Sequence, residues 1–277
     1  MSDHNRSPHI RHYHRHLSIS YAMSLRQRLY SFVLVPLMIL VVAFLAIFIS
    51  TGFHYNIVPA IGVSLVVQAI FATFIRLLIA YILALLISIP LALLITRNDT
   101  IERLLLPVFD IIQSIPVLAF FPIIILVFIH SNFLSGAAIF ILFLSMIWNI
   151  VFSLVGGLRT IPGDIKAGAQ VFHITGWSYF TKVLIPGVMP YIITGSLLAW
   201  AQGWNIVIVA EVLHTYIPGG TSNQDLFGIG STLVNASAQG DQQLFMLAII
   251  CMVIWIGLLN FFVWQKLLTY AEKFKFD

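Results

Sequence analysis

Residues 77–96 read LLIAYILALLISIPLALLIT, twenty positions without one Asp, Glu, Lys or Arg. Hydrocarbon offers no partner to a free backbone amide, so a stretch of this kind crosses it as a helix. At about 1.5 Å per residue, roughly 20 residues cover its ~30 Å thickness. Working outward, charge-free apolar stretches of similar length recur at residues 32–49, 111–129, 134–158, 187–210 and 244–263. A charge at the centre of such a span costs about 2.5–3.5 kcal/mol on insertion scales, which explains its absence. The expectation is an all-α, polytopic membrane protein with about six transmembrane helices.

Composition agrees. Of 277 residues 60% are hydrophobic and 9% charged, with a mean hydropathy of +1.00 and 22 Phe. A soluble domain carries about 25% charged residues, so most of this surface is made for lipid, and little chain is left for an aqueous catalytic domain. The single cysteine, Cys251, excludes a disulfide framework or a multi-cysteine metal site. No nucleic-acid partner is expected.

Residues 56–75 are also apolar, but Gly62, Ser64, Gln68 and Thr73 interrupt them and Arg76 closes them. We read this segment as a lead-in helix, not a further span. Six spans put both termini on one side, and 13 of the 14 Lys and Arg then share it, with Arg76 alone opposite. That asymmetry makes the shared side cytoplasmic. A seventh span would scatter the charges. The chain therefore divides into a polar, basic cytoplasmic tail, 1–30, and a membrane domain, 31–277, whose longest cytoplasmic loop is 159–182. The tail is too long for the charged leader of a signal peptide, and span one is expected to stay in the mature chain. His4, His9, His12, His14 and His16 crowd it; a basic tail near anionic lipid accounts for them more simply than metal binding.

No phosphate-cradling loop, metal-binding His pair within a span or nucleophile elbow is present. The chain is expected not to be an enzyme, and any ATP used is hydrolysed by another subunit. Coupled carriers place ionisable groups inside their spans. Only Asp110 and Glu211 come close here, each at a span's end, which weakens a secondary carrier or channel-like reading. Glu211 is expected at the interface near the outer mouth.

The loop and the start of span five read RTIPGDIKAGAQVFHITGWSYFTKVLIPGVMP, residues 159–190. Pro162 suits a first helical turn and Asp164 its positive dipole end, while Thr175 and Gly176 break the run before Trp177. Two short helices meeting at a bend are predicted, with Pro186 marking the start of span five. Ala167, Gly168 and Ala169 leave room for another surface, and Val171, Phe172, Trp177 and Phe180 offer apolar knobs.

This loop resembles the signature of the inner-membrane permeases of bacterial binding-protein-dependent ABC importers, nearest the nitrate, sulfonate and taurine group. Their pattern is Glu-Ala-Ala, three residues, Gly, nine residues, then Ile-x-Leu-Pro. Ala167, Gly168 and Ala169 stand for the Glu-Ala-Ala, His173 for the Gly, and Val183, Leu184, Ile185 and Pro186 for the ending. A histidine lacks glycine's backbone freedom, so the geometry there is expected to differ. The Pro-rich SIPVLAFFPIIILVF (114–128), RTIP (159–162), GWNIVIVAE (203–211) and FGIGS (227–231) extend the resemblance over most of the chain.

The resemblance implies an ABC importer permease fold. The coupling helix, with Ala167, Gly168, Ala169, Val171, Phe172, His173, Gly176, Val183, Ile185 and Pro186, would sit in a groove of an ATPase. It further implies two cytoplasmic ATP-binding subunits, a second permease copy or sister permease, an external substrate-binding protein, and a bacterial inner membrane. ATP would be bound by the partner, with no cofactor in this chain, and the solute would be small, such as nitrate, a sulfonate or taurine. Gly195, Ala199, Gln202 and Ile206, and Ser145, Asn149 and Ser153, follow helical spacing, and such stripes are more often packing seams. Gln202, Trp204 and Asn205, with Asn149, nonetheless place polar groups at membrane depth and mark a candidate pathway.

With Cys251 replaced by Ser, a cysteine at Thr221 is expected to react with an impermeant thiol reagent from outside, and one at Gly163 only from inside. The reverse pattern would overturn the topology.

Overall fold

The computed structural model describes residues 60–130, 133–217 and 219–274. The expected span at 32–49 and the histidine-rich tail lie outside the described residues. Within them the chain is helical, with no strand.

Helix α1, Ala60–Ile95, runs unbroken for 36 residues, about 54 Å. The separate lead-in expected at 56–75 is therefore not there. Gly, Ser, Thr and Gln are tolerated because a helix satisfies its own backbone. Arg76 does not close a segment but lies near the middle of α1, its charge met by a carboxylate described below.

The expected third span is also different. Helix α2, Asp99–Ser114, and helix α3, Val117–His130, are separate, and meet at a bend of 83°. Pro116 removes a backbone donor at the join. Two contacts place α2 along helix α4, Leu134–Thr160. Glu102 in the first turn of α2 pairs with Arg159 at the end of α4, and the Phe109 ring lies 5.6 Å from that of Trp148, mid-way along α4. Helix α2 therefore begins beside the Arg159 end and climbs to half the depth of the bundle.

Helix α5, Gly163–Val171, is short. Helix α6 then runs from Gly176 to Glu211, with a π turn at Phe180–Leu184. Pro186 thus does not mark the start of a span, since the helix begins ten residues earlier. Proline fits there because it stands at the first positions after the π turn, where the usual ladder is already interrupted. Helix α7, Ile229–Ala238, and helix α8, Gln242–Phe274, complete the chain. Among the described residues four helices are long and apolar enough to cross a membrane, or five where the bent α2–α3 pair counts as one span, so the expected spans there keep their order with altered boundaries.

Helix α4 is the centre. Most of it is buried between α1 and α6, and small residues bring the helices close. A methyl group on Gly195 would stand 2.7 Å from Ser153 Cβ and 3.1 Å from the Asn149 carbonyl, so the predicted stripe of Gly195, Asn149 and Ser153 is a packing seam. Apolar area gives no net drive inside lipid, and close contact of this kind supplies it instead. Aromatics fill the wider gap between α1, α6 and α8: Phe74 packs on Trp200 and Trp255, at 5.6 and 5.5 Å between ring centroids. By contrast few residues of α8 are fully buried: one side, with Leu247, Met252 and Trp255, packs on the core, and Val253, Ile254, Phe261 and Phe262 face outward.

Gly195→Val is expected to lower stability by about 1–3 kcal/mol through overpacking. Gly156→Val, at a position where an added Cβ meets nothing within 4 Å, is its control. Equal thermal midpoints in detergent for the two variants would contradict the seam.

Candidate docking loop and the Glu211 clasp

The loop 159–182 folds as the expected pair of helices meeting at a bend. Asp164 sits in the first turn of α5, beside the positive end of its dipole. At the other end the His173 amide donates to the Gln170 carbonyl (3.0 Å) and the Ile174 amide to that of Ala169 (2.8 Å). This reciprocal pair is a Schellman cap, whose first residue past the helix takes a left-handed backbone and is usually glycine. His173 occupies it, at φ 52°. The expectation that a histidine would change the local geometry is corrected: it adopts the glycine conformation, at a cost of about 1–2 kcal/mol, and histidine is among the side chains that tolerate that region.

The cap turns apolar side chains into water. Val171, Phe172 and Trp177 are 73%, 78% and 76% exposed, and the Trp177 ring stacks 5.1 Å from Phe180. Ala167, His173 and Gly176 are exposed too, and a side chain added at Gly168 would meet nothing within 4 Å. Ala169 was expected on this face but is only 5% exposed, because it lies on the inner side of the α5 turn. Val183, Ile185 and Pro186 are half-buried within α6, so they shape the start of that helix and do not form the exposed face.

At the opposite end of α6, Glu211 is not the interfacial residue expected from sequence. Its side chain is 1% exposed. The Oε1 atom accepts from the Thr73 hydroxyl (2.6 Å) and from Arg76 Nη1 (2.7 Å), and Oε2 from the Gly230 amide (2.8 Å). Arg76 Nη2 reaches the Phe227 carbonyl at 2.8 Å, and Thr73 accepts the Ile229 amide at 2.9 Å. One carboxylate thus neutralises the arginine of α1 and satisfies an amide at the positive end of α7. Glycine is required at 228, since a methyl group there would run into the Glu211 carboxylate. The motifs GWNIVIVAE and FGIGS are the two halves of this clasp. Thr73 and Arg76 were missed as its other members. The signal was available: an Arg and a Glu in otherwise charge-free helices pair with each other.

The candidate pathway residues are not one cluster. Asn149 lies in the seam facing Gly195, and Gln202 and Trp204 are half-buried. Asn205 is exposed, on a stripe of α6 with Thr194, Leu198, Ala201 and Ile208 whose spacing of three and four keeps one face.

Residues 84–269 match the family described as the inner membrane component of binding-protein-dependent transport systems. The match covers most of the chain, and the chain belongs to that family. It is 34% identical to the nitrate import permease protein NrtB of Leptolyngbya laminosa over 56% of this chain and 49% of the relative. It is 33% identical to the bicarbonate transport system permease protein CmpB of Synechococcus elongatus over 44% of this chain and 43% of that protein. The chain thus spans about half the length of the curated relatives it matches. Both bear out the resemblance to nitrate-type permeases, and the family, with the apolar helices, makes the chain a multi-pass inner-membrane protein. The carrier or channel reading is not favoured.

Glu211→Leu is expected to cost about 2–4 kcal/mol, because it leaves the partly buried Arg76 without its counter-charge and the Gly230 amide without its acceptor. Adding Arg76→Met restores part of that loss only, since the Gly230 amide still lacks its acceptor. Thermal midpoints of the three variants in detergent check this, and a single substitution within about 0.5 kcal/mol of the parent would contradict the clasp.

Proposed function

We propose that this chain is the transmembrane permease subunit of an ATP-driven importer, moving a small solute across the inner membrane. It works with a second permease copy or sister permease, with two cytoplasmic ATP-binding subunits that bind and hydrolyse the ATP, and with an external protein that delivers the solute. The chain itself catalyses no reaction. Its termini and the loop 159–182 face the cytoplasm.

The observation that carries this reading is the exposure of Val171, Phe172 and Trp177 on a loop capped rigidly at His173. Three large apolar side chains held in water at the end of a transmembrane helix are a docking surface, since exposed apolar clusters mark interaction sites. Gly168 and Ala167 beside them allow a groove of the ATP-binding subunit to close over the helix. Because α6 continues from this loop to Glu211 with a single π turn at Phe180–Leu184, a push on Trp177 reaches the clasp through one helix. Alternating access follows from the ATP-binding subunits closing and carrying the loops with them.

Gly168→Trp should insert and fold as the parent does, because its side chain enters open space, yet lose the ATP-binding subunit and with it transport. Ala169→Trp clashes inside the chain and should lower stability as well. Co-purification of the ATP-binding subunit with the Gly168→Trp variant at parental yield would remove the loop from the docking role.

A further inference from the structure

The bend between α2 and α3 sets a carboxylate close to the middle of α4. Asp110 lies one residue from Phe109, whose ring packs on Trp148 at the middle of α4. Four residues further on α2 ends, and Ile115 and Pro116 lead into α3 at 83°. Asp110, Gln113 and Ser114 are all exposed on the surface of this chain. The Gln113 amide donates to Asp110 Oδ1 at 2.8 Å, and the Ser114 hydroxyl to the Asp110 carbonyl at 2.7 Å. Among the described residues no Lys or Arg pairs with Asp110, whereas Glu102 and Glu211 each have an arginine. Arg76, the basic residue near the middle of α1, is already held by Glu211.

An ionised group at this depth faces protein or a water-filled path, not lipid. The C-terminal end of α2 adds the negative pole of its dipole at the same place, about half an elementary charge on its last carbonyls. Discontinuous helices that end near the midplane form ion and substrate sites in other transporters, their C-terminal ends facing cations. We propose that the α2–α3 break is a cation-attracting site on the transport path, where Asp110, with Gln113 and Ser114, receives a positively charged nitrogen of the solute. This rests on the permease reading above. It separates the chain from a carrier of bare inorganic anions such as nitrate or bicarbonate, for which an unopposed carboxylate is a barrier.

The test uses the full chain in membrane vesicles with its ATP-binding subunits, Cys251 replaced by Ser and one cysteine introduced by Ser114→Cys. Its reaction rates with a trimethylammonium methanethiosulfonate and with the sulfonate analogue are compared with those of Thr221→Cys on the outer loop. The cationic-to-anionic rate ratio at Ser114→Cys should exceed that at Thr221→Cys about tenfold. Adding Asp110→Asn should bring it within about twofold of the reference. Equal ratios at the two sites, a ratio insensitive to Asp110→Asn, or no reaction at Ser114→Cys while Thr221→Cys reacts would each overturn the site. Failure of the parent chain to hold its ATP-binding subunits would count against the importer reading alone, because the labelling ratio is read on the chain itself.

Discussion

The Glu211 carboxylate organises the end of the bundle where α1, α6 and α7 meet. A buried ion is tolerable only when it is paired and its remaining lone pairs are satisfied, and Glu211 meets that demand with three elements at once: Thr73 and Arg76 of α1, its own helix α6, and the Gly230 amide of α7. From it follow the charge in the middle of α1, the glycine at 228 and the return of the outer loop onto the bundle. The same loop is tied a second time where His214 meets Asp225 at 2.8 Å.

Helix α6 connects this end to the other. It carries the exposed Trp177 at one end and the clasp at Glu211 at the other, packs on α4 through Gly195, and shows a stripe with Asn205 on its free face. Its π turn at Phe180–Leu184 lies between the loop and the first membrane-embedded turns, a feature often found at functional positions in helices. Movement of the loop and arrangement of the outer end are therefore properties of one helix. The α2–α3 bend has the opposite character, since it turns the chain by 83° directly after Asp110, Gln113 and Ser114.

Much of this was legible in the residues. Charge-free stretches located the helices, because insertion into lipid penalises charge at the level of single residues. The bend between Phe172 and Gly176 was legible from Thr175 and Gly176. Helix continuity was not: Arg76 and Pro186 both read as boundaries, yet both sit within long helices, because a distant carboxylate neutralises one and a π turn accommodates the other. The 83° bend at Pro116 was hidden because the apolar run from Val117 onward made residues 111–129 read as one span, although Gln113 and Ser114 stand just before the proline. The burial of Glu211 depends on partners 135 and 138 positions away, which periodicity cannot supply. Ala169 and His173 were misjudged because the cap that orients them is a property of backbone geometry.

The central claim is that α6 acts as one rigid element between the docking loop and the clasp. Electron–electron resonance between spin labels at Lys182 and Ile208, 26 residues apart along α6, tests it most directly in the assembled transporter. At 1.5 Å per residue the backbone separation is about 39 Å. The account predicts the same distance distribution with and without ATP, while the parts around α6 move. A distribution that shifts or broadens on ATP binding would show α6 bending at or above its π turn, and would contradict the claim.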